Sequence, residues 1–139
     1  MKIVVIDGQG GKMGRGMIQK LKAVMPNCPI WAIGTNSIAT AVMLKAGAEY
    51  GATGENPVVV NCRDADIIIG PVGIVIADAL FGEITPTMAT AIGQSRAEKI
   101  LLPVNKCNHH VVGVGSISMG DLLEEALDMV ISLSPKLDK

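Results

Sequence analysis

The first residues whose types and spacing could do chemistry are the glycines of Val4-Val5-Ile6-Asp7-Gly8-Gln9-Gly10-Gly11-Lys12-Met13-Gly14-Arg15-Gly16. Without a Cβ, backbone can turn tightly and come close to a phosphate. A helix starting just afterwards offers unbonded N–H groups and a partial positive charge. On this reading Gly8 makes the turn, Gly10 or Gly11 lets the backbone reach a pyrophosphate, and Gly14 clears the contact between helix and strand. The spacing is G-x-x-G-x-x-G through Gly8, Gly11 and Gly14, whereas G-x-G-x-x-G counted from Gly8 would put Met13 third. The phosphate loop of ATP hydrolases is excluded. Lys12 is followed by Met13 rather than Ser or Thr, and Ile6 stands where that motif begins with glycine. Gly8, Gln9, Gly10, Gly11, Lys12, Met13 and Gly14 are therefore the expected cofactor-binding residues, with a purely structural turn as the competing reading.

Asp7 complicates a pyrophosphate site, because a carboxylate repels phosphate. Its expected role is an Asx-type hydrogen bond to the N–H groups of the loop; contact with a ribose hydroxyl, a cation or a substrate is the alternative. Parallel strands gather their C-terminal ends on one edge, where ligands bind. Three further segments should meet there: Gly34-Thr35-Asn36-Ser37, Gly70-Pro71-Val72-Gly73 and Asn105-Lys106-Cys107-Asn108-His109-His110. The first would face an adenine ribose. NAD sites usually place Asp or Glu at that point. Gly34 and Thr35 stand here instead, so NADP is slightly favoured over NAD, with Thr35, Asn36 and Ser37 as neutral donors and Lys12 and Arg15 as the nearest cations. Pro71 and Gly73 would belong to a tight turn beside the middle of the cofactor, or to a plain turn. In the third segment Lys106 can bind a carboxylate, Asn105 and Asn108 can position a carbonyl, and His109 can transfer a proton. Cys107 becomes a nucleophile if His109 lowers its pKa. The plain reading of that segment is a polar hairpin loop. No metal site is expected, since the adjacent His109 and His110 rarely converge on one ion with Cys107.

The run Gly8-Gln9-Gly10-Gly11-Lys12-Met13-Gly14-Arg15 resembles the N-terminal nucleotide-binding motif of dihydrodipicolinate reductases. That resemblance covers about the first twenty residues and implies NAD(P)H binding. Those enzymes carry a second, substrate-binding domain for which this chain has no room. As a whole, the chain resembles a family of small bacterial Rossmann-like proteins with no assigned function, which implies the fold and says little about activity.

The elements that would position these residues alternate. Residues 2–6 read as a buried strand, followed by a helical stripe of Met13, Met17, Ile18, Leu21, Val24 and Met25 that ends at Pro26. Residues 30–33 form a second strand. Asn36 or Ser37 caps a helix bearing Ile38, Val42 and Ala46, and residues 48–52 form a weak third strand. Asn56-Pro57 looks like a helix start, although the valines at 58–60 favour strand. Residues 66–70 form the next strand, with helices over 74–80 and from Thr85 to Gln94. Strands over 99–104 and 111–114 follow. A last helix opens on Ser118 and Asp121 in capping-box spacing and carries Leu122, Leu123, Ala126, Leu127, Val130 and Ile131 up to Pro135. Continuous apolar strands between helices imply one doubly wound, three-layer α/β domain with a mostly parallel sheet of five to six strands.

Composition narrows the function classes. With 139 residues the chain suits one domain, and 49% hydrophobic content excludes a disordered polymer. A net charge of −1 and 2% aromatics supply neither the field nor the stacking platforms for nucleic acid. Three spaced cysteines without a CxxC pair suit a reducing cytoplasm, and Cys28 and Cys62 read as small apolar fillers. No apolar run is long enough for a membrane helix. Trp31, Tyr50 and Phe81 are assigned to packing. The stretch 74–92, apolar on more than one helical face, points to a homodimer interface, with burial against the last helix as the alternative. The resulting expectation is a nucleotide-binding Rossmann-like protein that takes NAD(P), as an oxidoreductase completed by dimerisation or as a non-catalytic nucleotide-sensing module. An enzyme using Cys107 or His109 is the third option.

Overall fold

A computed structural model describes residues 1–104 and 108–137. The strands are β1 (Ile3–Asp7), β2 (Ile30–Gly34), β3 (Tyr50–Thr53), β4 (Ile67–Pro71) and β5 (Glu98–Leu102). The helices are α1 (Lys12–Val24), α2 (Ser37–Lys45), α3 (Glu55–Cys62), α4 (Pro86–Gln94) and α5 (Met119–Leu137). The strands form one parallel sheet in the order β3-β2-β1-β4-β5, so the expected α/β architecture holds with five strands.

Side-chain alternation along β1 divides the core. Ile3 and Val5 join Met17, Ile18 and Leu21 of α1, Met43 of α2 and Leu123 and Leu127 of α5 on one face. Val4 and Ile6 face Val58 and Cys62 of α3 and Met88 and Ile92 of α4 on the other. The same period puts Asp7 on the α1 face, beneath the first turn of that helix. From β1 the chain builds β2 and β3 on one side, then crosses to β4 and β5 on the other. The glycine loop therefore sits at the switch point of the sheet, where the C-terminal ends diverge.

Local signals account for most boundaries. The Asn36 side chain accepts from the Ala39 N–H at 2.9 Å and starts α2. Thr85 accepts from the Met88 N–H at 3.1 Å, with Pro86 at the first position of α4. Ser118 accepts from the Asp121 N–H at 3.1 Å ahead of the last helix. That helix continues through Pro135 to Leu137 rather than stopping before the proline. Gly54, not Asn56, precedes α3, and its valines are helical because Val58 is buried between α4 and the sheet.

Other expectations fail. Residues 111–114 form no strand. Residues 74–80 form no helix beyond a 3-10 turn over Val72–Val75; the chain then bends through Asp78, Leu80 and Phe81, whose φ values are 66°, 58° and 56°. The run 74–92 is accordingly not one all-apolar helix. Ile74, Ile84, Met88 and Ile92 are buried within the monomer, against α3 and the sheet rather than the last helix, so burying them requires no second subunit. Trp31 does stack on Tyr50 at 4.8 Å, but Phe81 is 91% exposed and contributes nothing to the core. Among the described residues no helix is long and apolar enough to cross a membrane.

Candidate functional site

The loop between β1 and α1 is tied down by two carboxylates. Asp7 is 3% exposed and accepts from the Gly8 N–H and the Gly14 N–H, each at 2.8 Å. This is the Asx-type role expected of it. Burial dominates its acidity and holds the carboxyl above the ordinary range, with the Gly14 and Gly8 amides opposing the shift and the Glu83 charge adding to it.

The second carboxylate is Glu83, which nothing in the local sequence announces. Its Oε1 accepts from the Gln9 N–H at 3.1 Å, the Thr35 hydroxyl at 2.6 Å and the Asn36 amide at 2.7 Å. Burial alone would raise its pKa, but the donors from Thr35, Asn36 and Gln9 together outweigh burial and hold it below the usual range. Asn36 also donates to the Gln9 carbonyl at 2.9 Å, which fixes Gln9 in a left-handed conformation at φ 50°. Glu83 comes from the bent segment after β4 and Thr35 from the end of β2, so its contacts depend on the sheet order.

The glycines fall into two kinds. A Cβ on Gly8 would lie 2.5 Å from Thr35 Oγ1 and 3.1 Å from Glu83 Oε1. Gly11 has φ 73° and caps α1, with the Ala39 backbone 3.0 Å from where its Cβ would be. A Cβ on Gly14 would stand 2.5 Å from Met43 Sδ and 3.1 Å from the Asp7 Cβ. These three serve the protein's own packing. At Gly10, by contrast, a Cβ would meet nothing within 4 Å.

A cavity of about 300 Å³ lies against the loop, lined by Asp7, Gly8, Gln9, Gly10, Gly11, Lys12 and Met13, together with Met119 at the start of α5. Among the described residues the Gly10, Lys12 and Met13 N–H groups have no protein acceptor; the Gly11 amide bonds to the Gly8 carbonyl at 2.9 Å. Gly14 lies beneath the loop with its amide given to Asp7. The structure thus brings the loop residues together and adds Met119. It does not bring Thr35, Asn36 or Ser37 to the cavity: the first two are engaged by Glu83, and Ser37 opens α2, exposed. Pro71 ends β4 and Gly73 lies in the 3-10 turn, both buried and outside the lining. His109, Asn108 and His110 are exposed. Asn105, Lys106 and Cys107 lie outside the described residues, so the nucleophile and carboxylate-binding roles read for Cys107 and Lys106 lie there too.

A family model described as a domain of unknown function, DUF3842, matches residues 2–134. The chain belongs to the DUF3842 family. No curated relative matches it. A solved structure similar to this DUF3842 chain is a dodecameric FMN-dependent UbiX-like decarboxylase from Escherichia coli O157:H7. It shows 16% identity and a TM-score of 0.48, covering 93% of this chain and 76% of that one.

The expectation of NAD(P) is corrected. That solved structure is itself described as FMN-dependent. In this chain, moreover, Thr35 and Asn36, two of the three positions expected to receive the adenine ribose, hydrogen-bond to Glu83, whose carboxylate also takes the Gln9 amide. A pyrophosphate spanning that route would meet an ionised carboxylate and find its donors occupied.

Proposed function

We propose that this DUF3842 protein binds a small phosphate-bearing ligand of mononucleotide size, with the phosphate against the glycine loop, and acts as a binding or sensing module. The observation that carries this reading is the row of N–H groups at Gly10, Lys12 and Met13, without protein acceptors among the described residues and beside a cavity those residues line. Backbone amides at a helix start suit a phosphate in charge and geometry. The Lys12 side chain, exposed at the same helix start, adds a cation. A cavity of about 300 Å³ stands at the lower end of small-ligand sites, which run from about 300 to 1,000 Å³, and this favours one nucleotide over two. Binding is favoured over proton transfer because Asp7, the carboxylate in the lining, already accepts two loop amides.

Titration calorimetry and thermal shift with FMN, AMP and inorganic phosphate test the reading, on the wild type and on Gly10→Val and Lys12→Ala. A mononucleotide at a hundredfold excess over its Kd should stabilise the wild type by about 2.7 kcal/mol. Gly10→Val should remove that gain without unfolding the chain, since the added side chain begins in open space. If no mononucleotide stabilises the wild type, or Gly10→Val responds as the wild type does, the proposal fails.

A further inference from the structure

The opposite edge of the sheet, where β4 and β5 begin, carries an unrelated feature. Helices α3 and α4 lie side by side, and between them runs a cavity of about 360 Å³ lined by Val59, Cys62, Ala91, Gln94 and Ser95, with Arg63 and Arg96 at the ends of the two helices. It is continuous through Val59, Ala91 and Gln94 with a second hollow of about 370 Å³ toward Pro86 and Thr90. The result is a groove with an apolar wall at Val59 and Ala91 and two guanidinium groups at one end.

Arginines near helix C-termini often serve to neutralise exposed carbonyls. Here other groups already bond the Cys62 and Ser95 carbonyls. The Ser95 hydroxyl donates to the Cys62 carbonyl at 2.7 Å, and the Lys99 ammonium donates to the Ser95 carbonyl at 2.5 Å. Nor do the arginines have an acid to pair with: among the described residues neither guanidinium makes an ion pair or a side-chain hydrogen bond. Of the neighbouring carboxylates, Asp64 is held by Lys2 at 2.7 Å and Asp66 accepts the Lys2 N–H at 2.6 Å, while Glu98 is exposed at the start of β5. The thiol of Cys62 in the groove wall brings no negative charge: burial pushes it up to about 11, only partly offset by the Lys2 and Lys99 charges.

We infer that this groove is a second ligand site, for a small organic phosphate whose oxyanion is gripped by Arg63 and Arg96 and whose apolar body lies along Val59 and Ala91. Guanidinium forks match phosphate oxygens in pairs, which a lysine cluster would not do. The site is independent of the glycine loop and stands whether or not that loop binds a nucleotide.

Phenyl phosphate and inorganic phosphate, titrated into the full chain by calorimetry, provide the probes. Phenyl phosphate should bind more tightly than inorganic phosphate, because only it can use the groove. Arg63→Gln and Arg96→Gln should each weaken phenyl phosphate by about tenfold with an unchanged circular dichroism spectrum, as both side chains are exposed. The titrations are repeated in Gly10→Val, where the glycine loop is closed to phosphate: phenyl phosphate should still bind there, and Arg63→Gln and Arg96→Gln should still weaken it. In that background, undiminished affinity in the double arginine variant, or no binding of phenyl phosphate at concentrations on the order of millimolar, would overturn the inference.

Discussion

Replacing Glu83 offers the sharpest examination of how the glycine loop is held. Its Oε1 collects three donors from two other parts of the chain, Gln9 on one side and Thr35 and Asn36 on the other. Glu83→Gln keeps a carbonyl oxygen in that place and loses only the charge assistance. Glu83→Ala leaves all three donors without their acceptor. A net hydrogen bond contributes about 1 kcal/mol, and more to a charged group. The half-buried Thr35 and Asn36 side chains can recover part of the loss from water, so about 2 kcal/mol is expected for alanine and about 1 kcal/mol for glutamine. At about 3 °C per kcal/mol for a chain of this size, Tm should fall by about 6 °C and 3 °C. The pH dependence supplies a second readout. The folded pKa of Glu83 lies below the ordinary 4.5, so its charged contribution is present above that value and is lost as pH falls through the folded value. Urea melts should therefore show wild type and Glu83→Gln converging below pH 4.5, with the alanine variant still lower. An alanine variant as stable as the glutamine variant, or a gap between wild type and glutamine that persists unchanged in acid, would refute the tether.

Three further outcomes follow from the same geometry. Gly14→Ala gains about 1 kcal/mol of helix propensity but overpacks against Met43 and Asp7 at a cost of about 1–3 kcal/mol, for a net loss of about 1 kcal/mol, whereas Gly10→Ala should stay within about 0.5 kcal/mol of wild type. Equal thermal midpoints for the two would refute the division of the glycines. Asp7 behaves oppositely to Glu83: its folded pKa lies above 3.8, so its contribution is full below that pH and is lost as pH rises through the folded value. Asp7→Asn should flatten that part of the stability profile, and an unchanged slope would count against burial as the cause. Cys62, 2% exposed with its thiol pushed up to about 11, should resist a disulfide-exchange reagent at neutral pH until the chain unfolds. Peptide-mapped labelling of native Cys62 at the unfolded rate would contradict this.

What could be read from the residues was whatever local physics enforces. The apolar runs of β1, β2 and β4, the helical stripe of α1 and the caps at Asn36, Thr85 and Ser118 are each encoded within a few neighbouring positions. The pairing of Asp7 with the loop amides was legible for the same reason, because donor and acceptor lie within seven residues. The segment after β4 was not. Its alanines and isoleucines have a helical pattern, yet burying Leu80 and Ile84 at 1% and 0% exposure accompanies left-handed turns at Asp78, Leu80 and Phe81. Val58 likewise favours strand by itself and is helical because a hydrophobic face was there to receive it. Glu83 stands furthest from any local signal: it lies 74 residues from the amide it binds. Only the crossing of the chain from β3 to β4 places it beside the first loop. Periodicity and capping are short-range and survive in a string of letters. The division among the loop glycines between those that pack and Gly10, which faces open space, and the carboxylate that engages Thr35 and Asn36, arise from groups that meet only once the sheet has formed.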